Sequence, residues 1–140
     1  MLVRQADVYS ADRPLALQAL TILKTAGEAL EVVPQSMVEF WVVATRPRAA
    51  NGLGLSVPDA EAERLRLEAL FNLRPDTPGL YARWVGLVNG FSVSGKPSHD
   101  ARIAAAMLEH GLTHLLTFNG ADFRRFAPLG IVVVDPADVR

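Results

Sequence analysis

The chain contains no cysteine. Disulfides, thiolate catalysis and zinc sites built on sulfur are therefore excluded, and the absence fits a cytoplasmic protein. Charge of either sign is not in excess: 14 Lys and Arg face 15 Asp and Glu, for a net −1. No global basic field marks a nucleic-acid binder, so any such contact must come from a local patch. No apolar run is long enough to span a bilayer, and the opening MLVRQADVYSADR is too charged for a signal peptide. Repeats, low-complexity tracts and linkers are also missing. What is present is a 140-residue chain that is 50% apolar, enough to bury one sizeable core and most simply a single domain over 1–140.

Hydrophobic spacing predicts helices alternating with short strands. A helix is expected over Pro14–Ala26, with Leu15, Leu17, Leu20, Ile22 and Leu23 apolar and Gly27 near its end. A strand over Leu30–Val33 follows, then a helix from Pro34 carrying Met37, Val38, Phe40 and Trp41. That helix must stop at Arg46-Pro47, because a residue before proline resists the helical region. Residues 48–55 read as a loop. Ser56–Leu70 is a helix with Ser56 as cap, Pro58 in the first turn, and Asp59 and Glu61 at the positive dipole end. Phe71–Arg74 reads as a brief strand, and Thr77-Pro78 opens a helix with Leu80, Trp84, Leu87 and Val88 inward. Ile131–Val134 is a β-branched run of the kind found in buried parallel strands. This alternation predicts an α/β fold with a parallel sheet covered on both faces.

The densest information lies in Ser98–Phe123, SHDARIAAAMLEHGLTHLLTFNGADF. Ser98 is expected to cap a helix whose first turn holds Asp100; Ile103, Met107 and Leu108 supply its apolar positions, and Gly111 its left-handed end. His114–Phe118 reads as a short buried strand, with Asn119 and Asp122 just past its carboxyl end. In open parallel α/β sheets, ligands bind at that end of the strands. Each acid also has a plain structural reading: Glu39 as part of a polar stripe with Gln35, Ser36 and Thr45, Asp100 as a dipole-complementing first-turn acid, Asp122 as a cap for the turn at 123–126. Asp100 and Asp122, however, flank one helix–strand unit at points that can converge on one face.

Converging acids without His or Cys favour a hard divalent cation. Mg²⁺ and Mn²⁺ take oxygen ligands and are usually held by one or two carboxylates plus substrate phosphate. The chemistry implied is phosphate-ester hydrolysis, with nucleic acid the natural substrate.

Three segments, PQSMVEFWVVATRP, SHDARIAA and LLTFNGADF, together with the GLGLS loop and the closing IVVVDP, resemble the PIN domain. The similarity is greatest to the VapC-type toxin ribonucleases of bacterial toxin–antitoxin pairs, and it covers nearly the whole chain. The resemblance implies a three-layer α/β/α sandwich with a parallel sheet and a Mg²⁺- or Mn²⁺-dependent endoribonuclease site. It also implies a homodimer and a small antitoxin partner. The family's acids carry over to Glu39 and Asp100. At the position where many members hold aspartate this chain has Asn119, so either Asp122 serves instead or Asn119 ligates through its neutral carbonyl. Thr117, Arg46, Lys96 and Arg124 are the expected substrate-binding positions, with Arg48 and Arg125 further candidates for an RNA groove. Family members begin with a central apolar strand ending in Asp-Thr-Asn, and this chain starts at Met1, just after the point where that triplet would fall. The domain is thus expected to be N-terminally truncated relative to the family, with Met1 a misplaced start. Both neighbours of that strand would be left with unpaired backbone groups, each costing about 1–3 kcal/mol when buried.

Other patterns carry less. His99-Asp100 lacks the further histidines of an HD phosphohydrolase, and nothing sets a triad geometry for Ser94, His99 and Asp100. Gly52-Leu53-Gly54 follows a helix rather than preceding one, a poor phosphate loop. Trp41 and Trp84 lie on apolar helical faces and read as core rather than base-stacking platforms. A general small-molecule phosphohydrolase fits the metal chemistry but lacks a phosphate-cradling loop. The main alternative is a non-catalytic PIN-like module that binds RNA or an antitoxin-like peptide after losing its metal site.

Overall fold

The computed structural model describes residues 1–140. Its elements run α1 (Leu2–Ala6), α2 (Arg13–Thr25), β1 (Glu31–Val32), α3 (Pro34–Thr45), α4 (Val57–Leu70), β2 (Asn72–Leu73), α5 (Leu80–Gly90), α6 (Pro97–Glu109), β3 (His114–Leu116), α7 (Gly120–Phe123) and β4 (Val132–Val134). Proline stands in the first turn of α2, α3, α4 and α6, where its missing N–H leaves no helical bond unmade. The Ser56 hydroxyl accepts from the Asp59 backbone N–H at 3.2 Å and caps α4 as expected. Gly111 has φ +66°, and the Leu112 N–H closes back on the Met107 carbonyl to end α6.

Two elements depart from expectation locally. Ser98 does not cap α6: Pro97 takes the first helical position, which draws Ser98 inside the helix while Asp100 stays in the first turn. The strand expected over His114–Phe118 ends at Leu116, with only the Thr117 N–H continuing the ladder, to the Val134 carbonyl at 3.0 Å. An N-terminal helix, α1, is also present, and Met1, Leu2, Val3 and Ala6 pack against the core beneath it.

The sheet differs more. Instead of one continuous sheet there are two parallel pairs, β1 with β2 and β3 with β4, in the registers Val32↔Leu73 and Leu115↔Val133. The parallel sense holds; the continuity does not, because β1 and β3 share no hydrogen-bonded ladder. Each pair carries its own core. Leu20, Val32, Met37, Phe40, Leu67 and Phe71 form one; Val33, Leu87, Ile103, Met107, Phe126 and Ile131 belong to the other. Successive strand side chains point to opposite sides. Val32 and Val33 therefore enter different cores, and Leu115 and Leu116 divide in the same way. Side-chain packing along this seam joins the two halves. The architecture is mixed α/β.

The GLGLS loop has a structural task. The Leu53, Gly54 and Leu55 N–H groups donate to the Val43, Arg46 and Ala44 carbonyls at 2.9 Å each, satisfying acceptors that the end of α3 leaves open. A Cβ on Gly52 would lie 1.9 Å from the Arg46 carbonyl oxygen, so only glycine permits this approach.

Candidate functional site

The three candidate acids come from three elements that meet along the seam. Glu39 lies in the second turn of α3, on the half built around β1 and β2. Asp100 lies in the first turn of α6, and Asp122 in α7, both on the other half. All three are half-buried. Asp100 reports their proximity: its carboxyl is raised above the ordinary aspartate range by burial, then by the negative charges of Asp122 and Glu39. The positive charges of His99 and Lys96 act in the opposite direction and more weakly. No side chain or backbone N–H of the protein is hydrogen-bonded to the Asp100 carboxylate, so only those weaker charges offset the repulsion.

The remaining candidates are arranged around this group unevenly. The Asn119 backbone N–H donates to Thr117 Oγ1 at 3.0 Å, and Asn119 Nδ2 donates to Asp122 Oδ2 at 3.0 Å. The Asn119 side-chain oxygen thereby remains free as an acceptor. Asp122 makes no capping bond to the turn that follows, contrary to its plain structural reading. Lys96, exposed at the start of α6, lies close enough for its charge to act on Asp100. Arg124 is exposed directly after α7. Arg46 stands apart: it ends α3 seven residues beyond Glu39, about 10 Å farther along the helix axis.

One residue outside the expected set organises the site's edge. Gln35, a turn before Glu39, donates through Nε2 to Glu39 Oε1 at 2.9 Å and lies 3.3 Å from His99 Nδ1. Its Oε1 accepts from Arg102 Nη1 at 3.2 Å, and Arg102 Nη2 donates to Asp76 Oδ2 at 2.5 Å. One amide orientation meets the bonds to Glu39 and Arg102 together. The i, i+4 spacing of Gln35 and Glu39 is visible in the sequence. The partners at 76, 99 and 102 depend on how α3 and α6 cross, which no local pattern encodes.

An oxygen-only donor set of carboxylates and an amide carbonyl suits Mg²⁺ or Mn²⁺ in type. No group of three or more His, Asp or Glu side chains is clustered tightly enough to hold an ion by itself. Mg²⁺ ordinarily draws part of its shell from water or substrate phosphate and uses only one or two protein carboxylates. No helix is long and apolar enough to cross a membrane. In comparisons with known proteins, no family model matches the chain and no curated protein matches it.

Proposed function

We propose that the chain is a PIN-like, metal-dependent endoribonuclease of the VapC type, the toxin half of a toxin–antitoxin pair that acts on cytoplasmic RNA. The observation that carries this reading is the half-burial of the Asp100 carboxyl within reach of the Asp122 and Glu39 charges, the three acids coming from three separate elements. Carboxylates held together against their repulsion are a feature of sites that receive a cation or a proton. Two parallel strand pairs flanked by helices are compatible with a three-layer sandwich.

In this reading one or two of Asp100, Glu39 and Asp122, with the free Asn119 carbonyl, would hold Mg²⁺ or Mn²⁺ together with water or substrate phosphate. When bound, such an ion supplies Lewis acidity at a phosphate oxygen and an acidified water. The protein's own groups do the rest. Lys96 would offset phosphate charge beside Asp100, Thr117 and Arg124, next to Asn119 and α7, would contact the RNA strand, and Arg46 would reach only a more distant part of it. The resemblance further suggests a homodimer and a small antitoxin that covers the acids.

Cleavage of a panel of tRNA, rRNA and short oligoribonucleotides, with and without Mn²⁺ or Mg²⁺, tests the reading. Metal-dependent cleavage that Asp100→Asn abolishes is expected. Cleavage that survives Asp100→Asn, or that needs no metal, overturns it.

A second reading, a non-catalytic RNA- or antitoxin-binding module, draws on the lack of a self-sufficient three-ligand cluster and on Asn119 beside Asp122. Under it, titration calorimetry gives no Mn²⁺ binding that depends on Asp100, while RNA is still retained.

A further inference from the structure

The Gln35 bridge leads away from the acids into a second concavity. Beyond Arg102, a cavity of about 390 Å³ is lined by Asp76, Thr77, Leu80, Tyr81, Trp84 and Arg102. That volume is within the range of small-molecule sites, about 300–1,000 Å³. One wall is aromatic: the rings of Tyr81 and Trp84 are 5.8 Å apart and tilted by 37°. Trp84 is fixed by its indole N–H, which donates to the Ser98 carbonyl at 3.0 Å. Tyr81, 73% exposed, is free to close over an incoming ring. The opposite wall is the Arg102–Asp76 pair, a donor fork beside an acceptor carboxylate.

We infer that this cavity is a subsite for a guanine base of single-stranded RNA. The inference rests on the ribonuclease reading and deepens it by naming a base next to the cut. An unstacked base needs an aromatic surface on one face and hydrogen-bonding groups at its edge, and this cavity provides both. Among the four bases, guanine alone presents two adjacent N–H donor sites beside a carbonyl acceptor. The carboxylate of Asp76 would accept from its N1–H and N2–H, and the Arg102 guanidinium beside it would donate to O6. Adenine and cytosine reverse the donor and acceptor at this edge, and uracil lacks the amino group. The distance to the chemistry is short: the Gln35 amide alone separates Arg102 from Glu39, by bonds of 3.2 and 2.9 Å. The aromatic wall thus has a ligand-binding task that the apolar helical spacing of Trp84 conceals.

The test uses the full chain with Trp41→Phe, which leaves Trp84 as the sole tryptophan of the two in the sequence. GMP, AMP, CMP and UMP are titrated without metal, and quenching of Trp84 emission is followed. Saturable quenching is expected, tightest for GMP by about tenfold, and Tyr81→Ala weakens it by about tenfold or more. Arg102→Gln removes the preference for GMP, and Asp100→Asn leaves that preference intact. Circular dichroism confirms folding of each variant; Tyr81 is exposed enough that its truncation spares the core. No saturable quenching, equal quenching by all four nucleotides, or quenching indifferent to Tyr81→Ala and Arg102→Gln overturns the inference. So does a dimer in sedimentation that Tyr81→Asp dissociates, since a second copy then occupies the face. RNA cleavage with a silent Trp84 refutes the subsite alone; GMP-selective quenching without cleavage refutes the nuclease alone.

Discussion

Gly120 separates the two residues whose side chains bond at the site, Asn119 and Asp122, and it is the point where α7 rests on β4. A Cβ at this position would lie 2.7 Å from Cγ1 of Val133 and 4.0 Å from its Cβ. Carbon atoms pack favourably at about 3.5–4.0 Å, so the added methyl overlaps its neighbour by about an ångström. Val133 has little room to yield: it pairs with Leu115, packs against the second core, and carries a β-branched side chain that is stiff at χ1. Overpacking of this kind costs about 1–3 kcal/mol. Against it stands the preference of helices for alanine over glycine, about 1 kcal/mol in a helix interior and less at the first position of a four-residue helix. The clash wins, and Gly120→Ala is expected to destabilise the fold by about 1–2 kcal/mol. For a chain of this size the melting temperature falls by roughly 3–8 °C. Thermal and urea unfolding measure the effect, and Val133→Ala in the same chain isolates its cause. The double variant should show a favourable coupling of about 1 kcal/mol, well outside the roughly 0.5 kcal/mol scatter of independent sites. A neutral or stabilising Gly120→Ala, or additivity with Val133→Ala, refutes the packing argument.

Asp100→Asn bears on stability as well as on cleavage. Because the folded protein raises the Asp100 pKa, the charged form is disfavoured by folding; the penalty is absent below the unfolded carboxyl value, about 4, and complete above the folded one. The variant should therefore be more stable than the parent at pH 7, with the gain gone near pH 3, as followed by melting temperature against pH; a gain confined to low pH contradicts this. Neutralising Asp122 or Glu39 should bring the Asp100 midpoint down, as read by carboxyl NMR. In the second core, Phe126 is fully buried and meets Phe91 edge-on with ring centres 5.3 Å apart. Phe126→Ala should cost about 3–5 kcal/mol in chemical denaturation, and a loss under 1 kcal/mol would mean that the cavity collapses.

Much of the local structure was legible in the order of residues. The helices at Pro34 and Ser56 are announced by prolines and a cap whose effect extends over one turn, and Gly111 ends α6 because glycine tolerates positive φ. Asp100 and Asp122 stand out for a similar reason, one in the first turn of a helix and one just past a strand, whereas Glu39 is singled out only by the family resemblance. What could not be read was whether the strands join. Two- and three-residue strands have too little pattern to specify a neighbour, and the alternation that sends Val32 and Val33 into different cores takes meaning only once both cores exist. The spacing of Trp84 marks it as core, which accounts for its half-buried position but not for the cavity its ring faces.

The sequence by itself determined the local and compositional facts: which stretches are helical, where most of them stop, and that no thiol chemistry is possible. These follow from interactions within a turn or two of the chain. The tertiary structure decided the division of the sheet, the reach of Gln35 to Arg102 and the meeting of Glu39 with Asp100 and Asp122. Each of these is a contact between residues about 20 to 90 positions apart, set by which helix faces pack across the seam. Only the packed chain brings like charges close enough to raise the Asp100 carboxyl, because their repulsion is screened in the extended chain and strengthened where the surroundings exclude water.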